Sequence, residues 1–305
     1  MSKYLFGPVP SRRLGRSLGI DTVKFKTCSY DCIYCQLGRT TFKTITRAEY
    51  VPTTEILDEL KNFLEKHESP DYITLSGSGE PTLHSGLKEI ISNIRELTEI
   101  PVAVLTNGSM LWDPEVRFAC CLADLVIPSL DAGDPEIFQV VNRPHPDLDF
   151  YEIFDGLCNL RDEFHGKIWL EVFLVENVND SLEQVNKIKK LADKFRPDKI
   201  QLNTAVRPPA EKFVKAVPHK RLEYIRGLIG DNAEIVVPHH GESSIDFGVK
   251  KEDVLSLVSR RPCSIDDIAR GLGMHKNEVI KYIQILKDDG LIKSRASNGI
   301  EFYYN

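Results

Sequence analysis

Lys26-Thr27-Cys28-Ser29-Tyr30-Asp31-Cys32-Ile33-Tyr34-Cys35 places three thiols within eight residues, in a C-x3-C-x2-C order. Soft thiolates suit iron–sulfur clusters, zinc and copper(I). A structural zinc site takes a fourth ligand to close its tetrahedron, and no further Cys or His stands nearby in sequence. Three ligands on a four-iron cluster leave one iron open to a substrate. A lone C-x2-C more often means zinc, so the meaning of the third cysteine rests on what surrounds the loop.

Before the loop runs a strand-like segment, Gly19–Lys24, and after it a helix-like one, Thr53–Lys66. From residue 70 the alternation continues. Short apolar runs stand at Tyr72–Ser76, Val102–Thr106, Leu125–Ser129, Ile168–Val175 and Lys199–Asn203. Amphipathic stretches stand at Leu87–Leu97, Pro114–Ala123, Tyr151–Glu163 and Ser181–Phe195. Short apolar runs alternating with helices predict an α/β fold with a buried parallel sheet. Six such strands fit a partial (β/α)6 barrel better than a closed eightfold one, with a further short strand at Glu234–Val237. Polar turns end the runs at Gly77-Ser78-Gly79-Glu80-Pro81, Asn107-Gly108-Ser109, Asp131-Ala132-Gly133, Glu176–Asp180 and Thr204–Pro208. Ligands bind at the carboxyl ends of strands in such folds, so these turns and the cysteine loop form one predicted rim.

The sequence resembles the radical S-adenosylmethionine superfamily. C-x3-C-x2-C with an aromatic residue, Tyr34, just before the third cysteine is similar to that family's signature. Gly77–Pro81 resembles its glycine-rich turn after the second strand, with Ser78 where many members carry Gly. Thr106-Asn107-Gly108 resembles the turn after the third. The resemblance implies that Cys28, Cys32 and Cys35 hold a [4Fe–4S] cluster and that the methionyl group of S-adenosylmethionine chelates the open iron. It implies cofactor contacts from Tyr34, Gly77, Ser78, Gly79, Glu80, Asn107, Ser129, Asp131 and Asn203. It also implies reductive cleavage to a 5′-deoxyadenosyl radical, hydrogen abstraction from a substrate, and an electron donor such as flavodoxin or ferredoxin. The stretch Gly7–Ile20, the cysteine loop and Gly79-Glu80-Pro81-Thr82 together resemble uncharacterised radical enzymes related to the wyosine-type transfer-RNA base synthases. Those synthases carry extra cysteines for a second cluster, which this sequence lacks: Cys120, Cys121, Cys158 and Cys263 show no cluster spacing and read as buried thiols. The substrate stays open among a small molecule, a peptide and an RNA base.

The pattern changes near residue 250. Asp253–Ser259 reads as a helix, Ser264-Ile265-Asp266-Asp267 opens a second with a capping pattern, and Met274–Lys287 gives a third. Leu291–Arg295 and Ile300–Tyr304 flank Ser297-Asn298-Gly299, a hairpin signal. Together they predict a winged helix-turn-helix over residues 246–305, after a barrel over 1–245. As a separate module, it implies that removing residues 250–305 leaves S-adenosylmethionine cleavage intact.

Charge narrows the partners. The net charge is −6; residues 250–305 balance at +2 and the rest at −8. An acidic body argues against a general polyanion surface. The third helix of the small domain offers His275, Lys276, Asn277, Lys281 and Gln284, and the wing Lys293 and Arg295, but a +2 balance falls short of the usual basic footprint of DNA binders. A cluster-bearing DNA-binding regulator is the alternative reading, and the glycine turns argue against it. Arg12, Arg13 and Arg16 are placed near the barrel mouth, where arginine forks suit phosphate or carboxylate; structural pairing with the acidic barrel weighs equally, and Arg143 and Arg207 could add to such a clamp. No membrane-length apolar run and no apolar leader appear at the N-terminus, which predicts a cytoplasmic protein.

Overall fold

The computed structural model describes residues 3–11, 13–236, 251–274, 276–297 and 299–305. The chain opens with a hairpin of β1 (Leu5–Ser11) and β2 (Gly15–Ile20), with Leu5 opposite Ile20 and Ser11 opposite Gly15. In the cysteine loop that follows, β3 (Thr27–Cys28) pairs with β4 (Phe42–Lys43). Helices and strands then alternate: α1 (Thr53–Lys66), β5 (Tyr72–Leu75), α2 (Leu87–Leu97), β6 (Val102–Thr106), α3 (Pro114–Cys120), β7 (Leu125–Pro128), α4 (Pro135–Val141), α5 (Phe150–Glu163), β8 (Lys167–Leu174), α6 (Leu182–Phe195), β9 (Lys199–Thr204), α7 (His219–Ile229) and β10 (Ala233–Ile235).

The eight-stranded sheet runs β1-β2-β5-β6-β7-β8-β9-β10, and every neighbouring pair from β2 onward is parallel. The helices bury regular stripes: in α2 these are Leu87, Ile90, Ile91 and Ile94, at i, i+3, i+4 and i+7, the spacing of one helical face. The sheet curls far enough that Arg13, beside β2, pairs with Glu171 on β8 and reaches Gln201 on β9. The partial barrel expected from the alternation is present.

Four details differ from the sequence reading. The first barrel strand is Gly15–Ile20 rather than Gly19–Lys24, because pairing with β1 sets its register. β1 itself escapes the pattern because Pro8 and Pro10 interrupt it; its place at the sheet edge tolerates proline. α4 was not anticipated, although Asp134 caps it by accepting the Ile137 N–H at 2.9 Å. The last strand is Ala233–Ile235, and Val237 lies outside the described residues together with the 245/246 domain boundary.

The small domain has the winged-helix order: α8 (Lys251–Arg260), α9 (Ile265–Gly271), α10 (Lys276–Asp288), then a hairpin of β11 (Lys293–Ser297) and β12 (Ile300–Tyr304). The capping box at Ser264 and Asp267 forms as read. This domain does not stand apart. Its core of Val254, Leu257, Val258, Ile268 and Val279 includes Val9 of β1. On the other flank Arg207, in the loop after β9, pairs with Asp267 at 3.4 Å, and Arg295 donates to the Pro208 carbonyl at 3.2 Å. The winged helix therefore bridges the edge strand and the loop after β9.

Candidate active site and metal centre

The three cysteines border a cavity of approximately 390 Å³, within the size range of small-molecule sites. Its wall holds Tyr34, Gly77, Ser78, Gly79 and Asn203 from the expected contact set. Each thiol meets a side-chain N–H donor: Asn107 Nδ2 lies 3.6 Å from Cys28 Sγ, Asn142 Nδ2 3.5 Å from Cys32 Sγ, and Lys26 Nζ 3.3 Å from Cys35 Sγ. Donors aimed at sulfur favour thiolate and tune the potential of a thiolate-held cluster.

Burial, with the Glu80 carboxylate adding to it, pushes the Cys28 thiol up to about 12. Burial and then Asp131 push Cys32 up as well. A nucleophilic cysteine needs the opposite shift. These thiols become thiolates when a metal's charge offsets their burial.

Gly77 has φ +122°, in the region that favours glycine. A Cβ at Gly79 would overlap the Thr27 carbonyl oxygen. The glycine turn is thus packed directly against the cysteine loop, and Lys26 N–H donates to the Ser78 carbonyl at 2.6 Å.

Glu80 is 2% exposed. It accepts from Thr82 N (3.0 Å), Thr82 Oγ1 (2.6 Å), Thr106 Oγ1 (2.6 Å) and Asn107 N (2.7 Å). It ties the turn after β5 to the turn after β6, and does not line the cavity. Burial pushes its carboxyl up; the four donors pull the other way. Glu80→Ala strands buried donors, each costing about 1–3 kcal/mol. We expect a loss of roughly 3 kcal/mol, read as an earlier urea midpoint for the barrel with an unchanged slope.

Asn107 turns its side chain to Cys28 and to Ser29, whose Oγ it meets at 2.9 Å. Asp131 holds Tyr34 OH at 2.5 Å, Asn142 Nδ2 at 2.7 Å and Phe173 N at 2.8 Å. It thereby clamps the cysteine loop to β8, where Tyr34 stacks on Phe173 with centroids 3.8 Å apart. Burial pushes Asp131 up to about 6 against the pull of Tyr34 and Asn142. Ser129 pairs with Glu171 at the strand end and shares with Asp131 a small hollow beside Tyr30, separate from the cysteine cavity. Asn203 faces the cavity while its Oδ1 accepts the Thr204 N–H at 2.9 Å.

The arginines are redistributed. Arg13 enters the cavity from the amino ends of the strands, where it precedes β2, rather than from the mouth. Arg16 pairs with Glu68 at 3.3 Å, away from the cavity. Arg12 lies outside the described residues. Arg143 pairs with Glu211 at 2.6 Å. Arg207 lines the cavity.

Residues 22–191 match the model of the radical SAM superfamily. This chain belongs to the radical SAM superfamily. A UPF0026 protein of Methanocaldococcus jannaschii is 34% identical over 98% of this chain and 94% of its own length. A UPF0026 protein of Helicobacter pylori is 31% identical over 98% and 96%. A Brachyspira hyodysenteriae protein named GTPase Obg is 39% identical over 99% of this chain, which spans 45% of that relative. Among solved structures, TYW1 with a lysine–pyruvate adduct superposes with a TM-score of 0.54, at 17% identity, over 75% of this chain and 76% of that one. Streptococcus suis SuiB bound to a precursor peptide gives 0.55, at 14% identity, over 71% and 48%. At those identities the likeness is one of fold.

The radical SAM cofactors, a [4Fe–4S] cluster and S-adenosylmethionine, fit the residues present: three thiols, each with a donor, on one wall of a cavity and a glycine turn on the next. Sequence reading missed Asn142 and Lys26 as thiol partners, although Lys26 opens the loop it quoted. It also missed Leu257, Arg260 and Arg261 of the winged helix in the cavity wall; no local pattern marks residues that reach a site from another domain. Lys276 pairs with Asp266 at 2.7 Å and Gln284 with Asp288 at 2.8 Å, while Arg295 docks on the barrel. His275 lies outside the described residues. No described helix is long and apolar enough to cross a membrane.

Proposed function

We propose that this radical SAM enzyme abstracts hydrogen from an anionic, phosphate-bearing substrate such as a nucleotide or an RNA base in its nucleotide. The observation that carries the substrate class is the cavity wall. It holds Arg13, Lys26, Arg207, Arg260 and Arg261, with Glu171 as its one acidic member among the described residues. In a chain of net charge −6, that concentration of cations is local. All four arginines meet a carboxylate, Arg13 at Glu171, Arg260 at Asp21, and Arg207 and Arg261 both at Asp267, so the five cations still outnumber the three acids that meet them. Guanidinium forks match phosphate oxygens, and a buried setting strengthens that match.

A cluster on Cys28, Cys32 and Cys35, when bound, supplies the electron that splits S-adenosylmethionine into methionine and a 5′-deoxyadenosyl radical. The chain's own residues do the rest. Asn107, Asn142 and Lys26 orient the thiols. Glu80 and Asp131 fix the turns and the Tyr34 ring around the cavity. The winged helix walls the cavity against water, which such chemistry requires. The basic residues of the small domain are largely engaged with carboxylates or with the barrel, which supports the enzyme reading over a DNA-bound regulator.

The test is deuterium transfer into 5′-deoxyadenosine from a deuterium-labelled cell extract, with the reconstituted, reduced protein. Label that disappears after phosphatase or ribonuclease treatment of the extract supports the proposal. Transfer that survives both treatments overturns the substrate class, and tight, salt-sensitive DNA binding with no S-adenosylmethionine cleavage overturns the enzyme reading.

A further inference from the structure

We propose that the winged helix positions the S-adenosylmethionine turn from a distance, through an Arg260–Asp21–Ser78 relay that makes Arg260 a positioning residue of the active site. Asp21 is the first residue after β2 and is 4% exposed. Its Oδ1 accepts the Ser78 N–H at 2.6 Å, so it grips the middle of the glycine turn by its backbone. Its Oδ2 forms an ion pair with Arg260, the last residue of α8. The same guanidinium stands over the Phe6 ring at 5.3 Å and reaches the Leu5 carbonyl at 3.5 Å. Arg260 is thus held on three sides by the barrel's hairpin while the rest of α8 packs on Val9.

Each link is selective. Gly77 leaves room for the Asp21 carboxylate, since a Cβ there would overlap Oδ1. Phe6 occupies the space above Gly19, where a Cβ would overlap its ring. The turn therefore lies on Asp21 and Phe6, and both touch Arg260. A buried carboxylate that loses its cation is costly and relaxes by moving or by admitting water. Either response frees the Ser78 amide. Arg261, the residue after α8, places a second guanidinium beside Arg260 in the cavity wall, so the element that holds the turn also lines the chamber. Docking of the small domain and the shape of the turn are then one equilibrium rather than two.

The proposal rests on the reading that Gly77–Glu80 meets S-adenosylmethionine, and the experiment separates the two. Full-length Arg260→Ala, Arg260→Lys, Asp21→Asn and the double variant Asp21→Asn/Arg260→Ala are compared. The readouts are amide hydrogen exchange of a peptide covering residues 76–83 in the apoprotein, cluster content, and equilibrium binding of S-adenosylmethionine to the loaded protein. Arg260→Ala is expected to speed exchange in that peptide about tenfold and weaken binding about tenfold, with unchanged exchange in α5 and α6 and unchanged cluster content. Arg260→Lys restores most of both. Asn at 21 still accepts from Ser78 but carries no charge, so adding Arg260→Ala to it changes little further; such non-additivity marks a shared path. Arg295→Ala, which breaks a different docking contact, leaves the peptide's exchange unaltered. Unchanged exchange in Arg260→Ala, or additive effects in the double variant, overturns the relay. Faster exchange with unaltered S-adenosylmethionine affinity overturns the assignment of the turn to that ligand.

Discussion

Cys32→Ala gives a folded, colourless protein. Cys32 is one of three thiols bordering the cavity, and its Sγ is the acceptor of Asn142 Nδ2 at 3.5 Å. Removing it leaves two ligands for a cluster that needs three, and among the described residues no other soft donor lines the cavity. Anaerobic reconstitution should then give less than about a tenth of the wild-type visible absorbance, and S-adenosylmethionine cleavage at the blank. The fold should hold. The eight-stranded sheet and its core do not hinge on this side chain, so the cost to the apoprotein is on the order of 1 kcal/mol. Far-ultraviolet dichroism and the urea midpoint are the controls. Wild-type absorbance in this variant would reject the ligand assignment.

Removal of residues 250–305 sharply lowers turnover while the cluster persists. This reverses the expectation raised by the break in sequence pattern. Leu257, Arg260 and Arg261 are part of the cavity wall, and their loss opens the chamber to water. Asp21 exchanges a fixed guanidinium for solvent, and the Ser78 turn that it holds loosens. Val9, packed in the small domain's core, becomes exposed on the edge strand, a surface that invites association. Misplacement of reacting groups by about 1 Å costs on the order of 100-fold in rate. We therefore expect 5′-deoxyadenosine formation to fall roughly 100-fold in a soluble, cluster-loaded truncate. Formation within a few-fold of wild type would show that the barrel builds the site unaided.

The two predictions differ in where their information lay. The ligands of the first were legible because a C-x3-C-x2-C loop is local: three thiols within eight residues must lie close together whatever the fold does. The alternation of apolar runs and amphipathic helices was legible for the same reason, since burial on a strand or a helix face imposes a short period. The capping box at Ser264 and Asp267 also spans a single turn.

The rest depended on contacts between residues far apart in the chain. β1 was hidden because its prolines mimic a loop, and only pairing with β2 makes it a strand. Asn142 lies 110 residues from the thiol that it meets. Arg13 was read toward the mouth, yet the hairpin turns it into the base of the barrel. Arg260 lies just past the helix read over Asp253–Ser259, and only folding brings it to Asp21. The sequence by itself determined the cluster loop, the parallel α/β layering and the helix–hairpin order of the small domain, because short-range periodicity and spacing encode these. Only the tertiary structure decided that the small domain walls the cavity, which carboxylates bind which arginines, and which turn each buried acid holds. Those are long-range pairings, selected by the packing of the whole molecule and written in no local pattern.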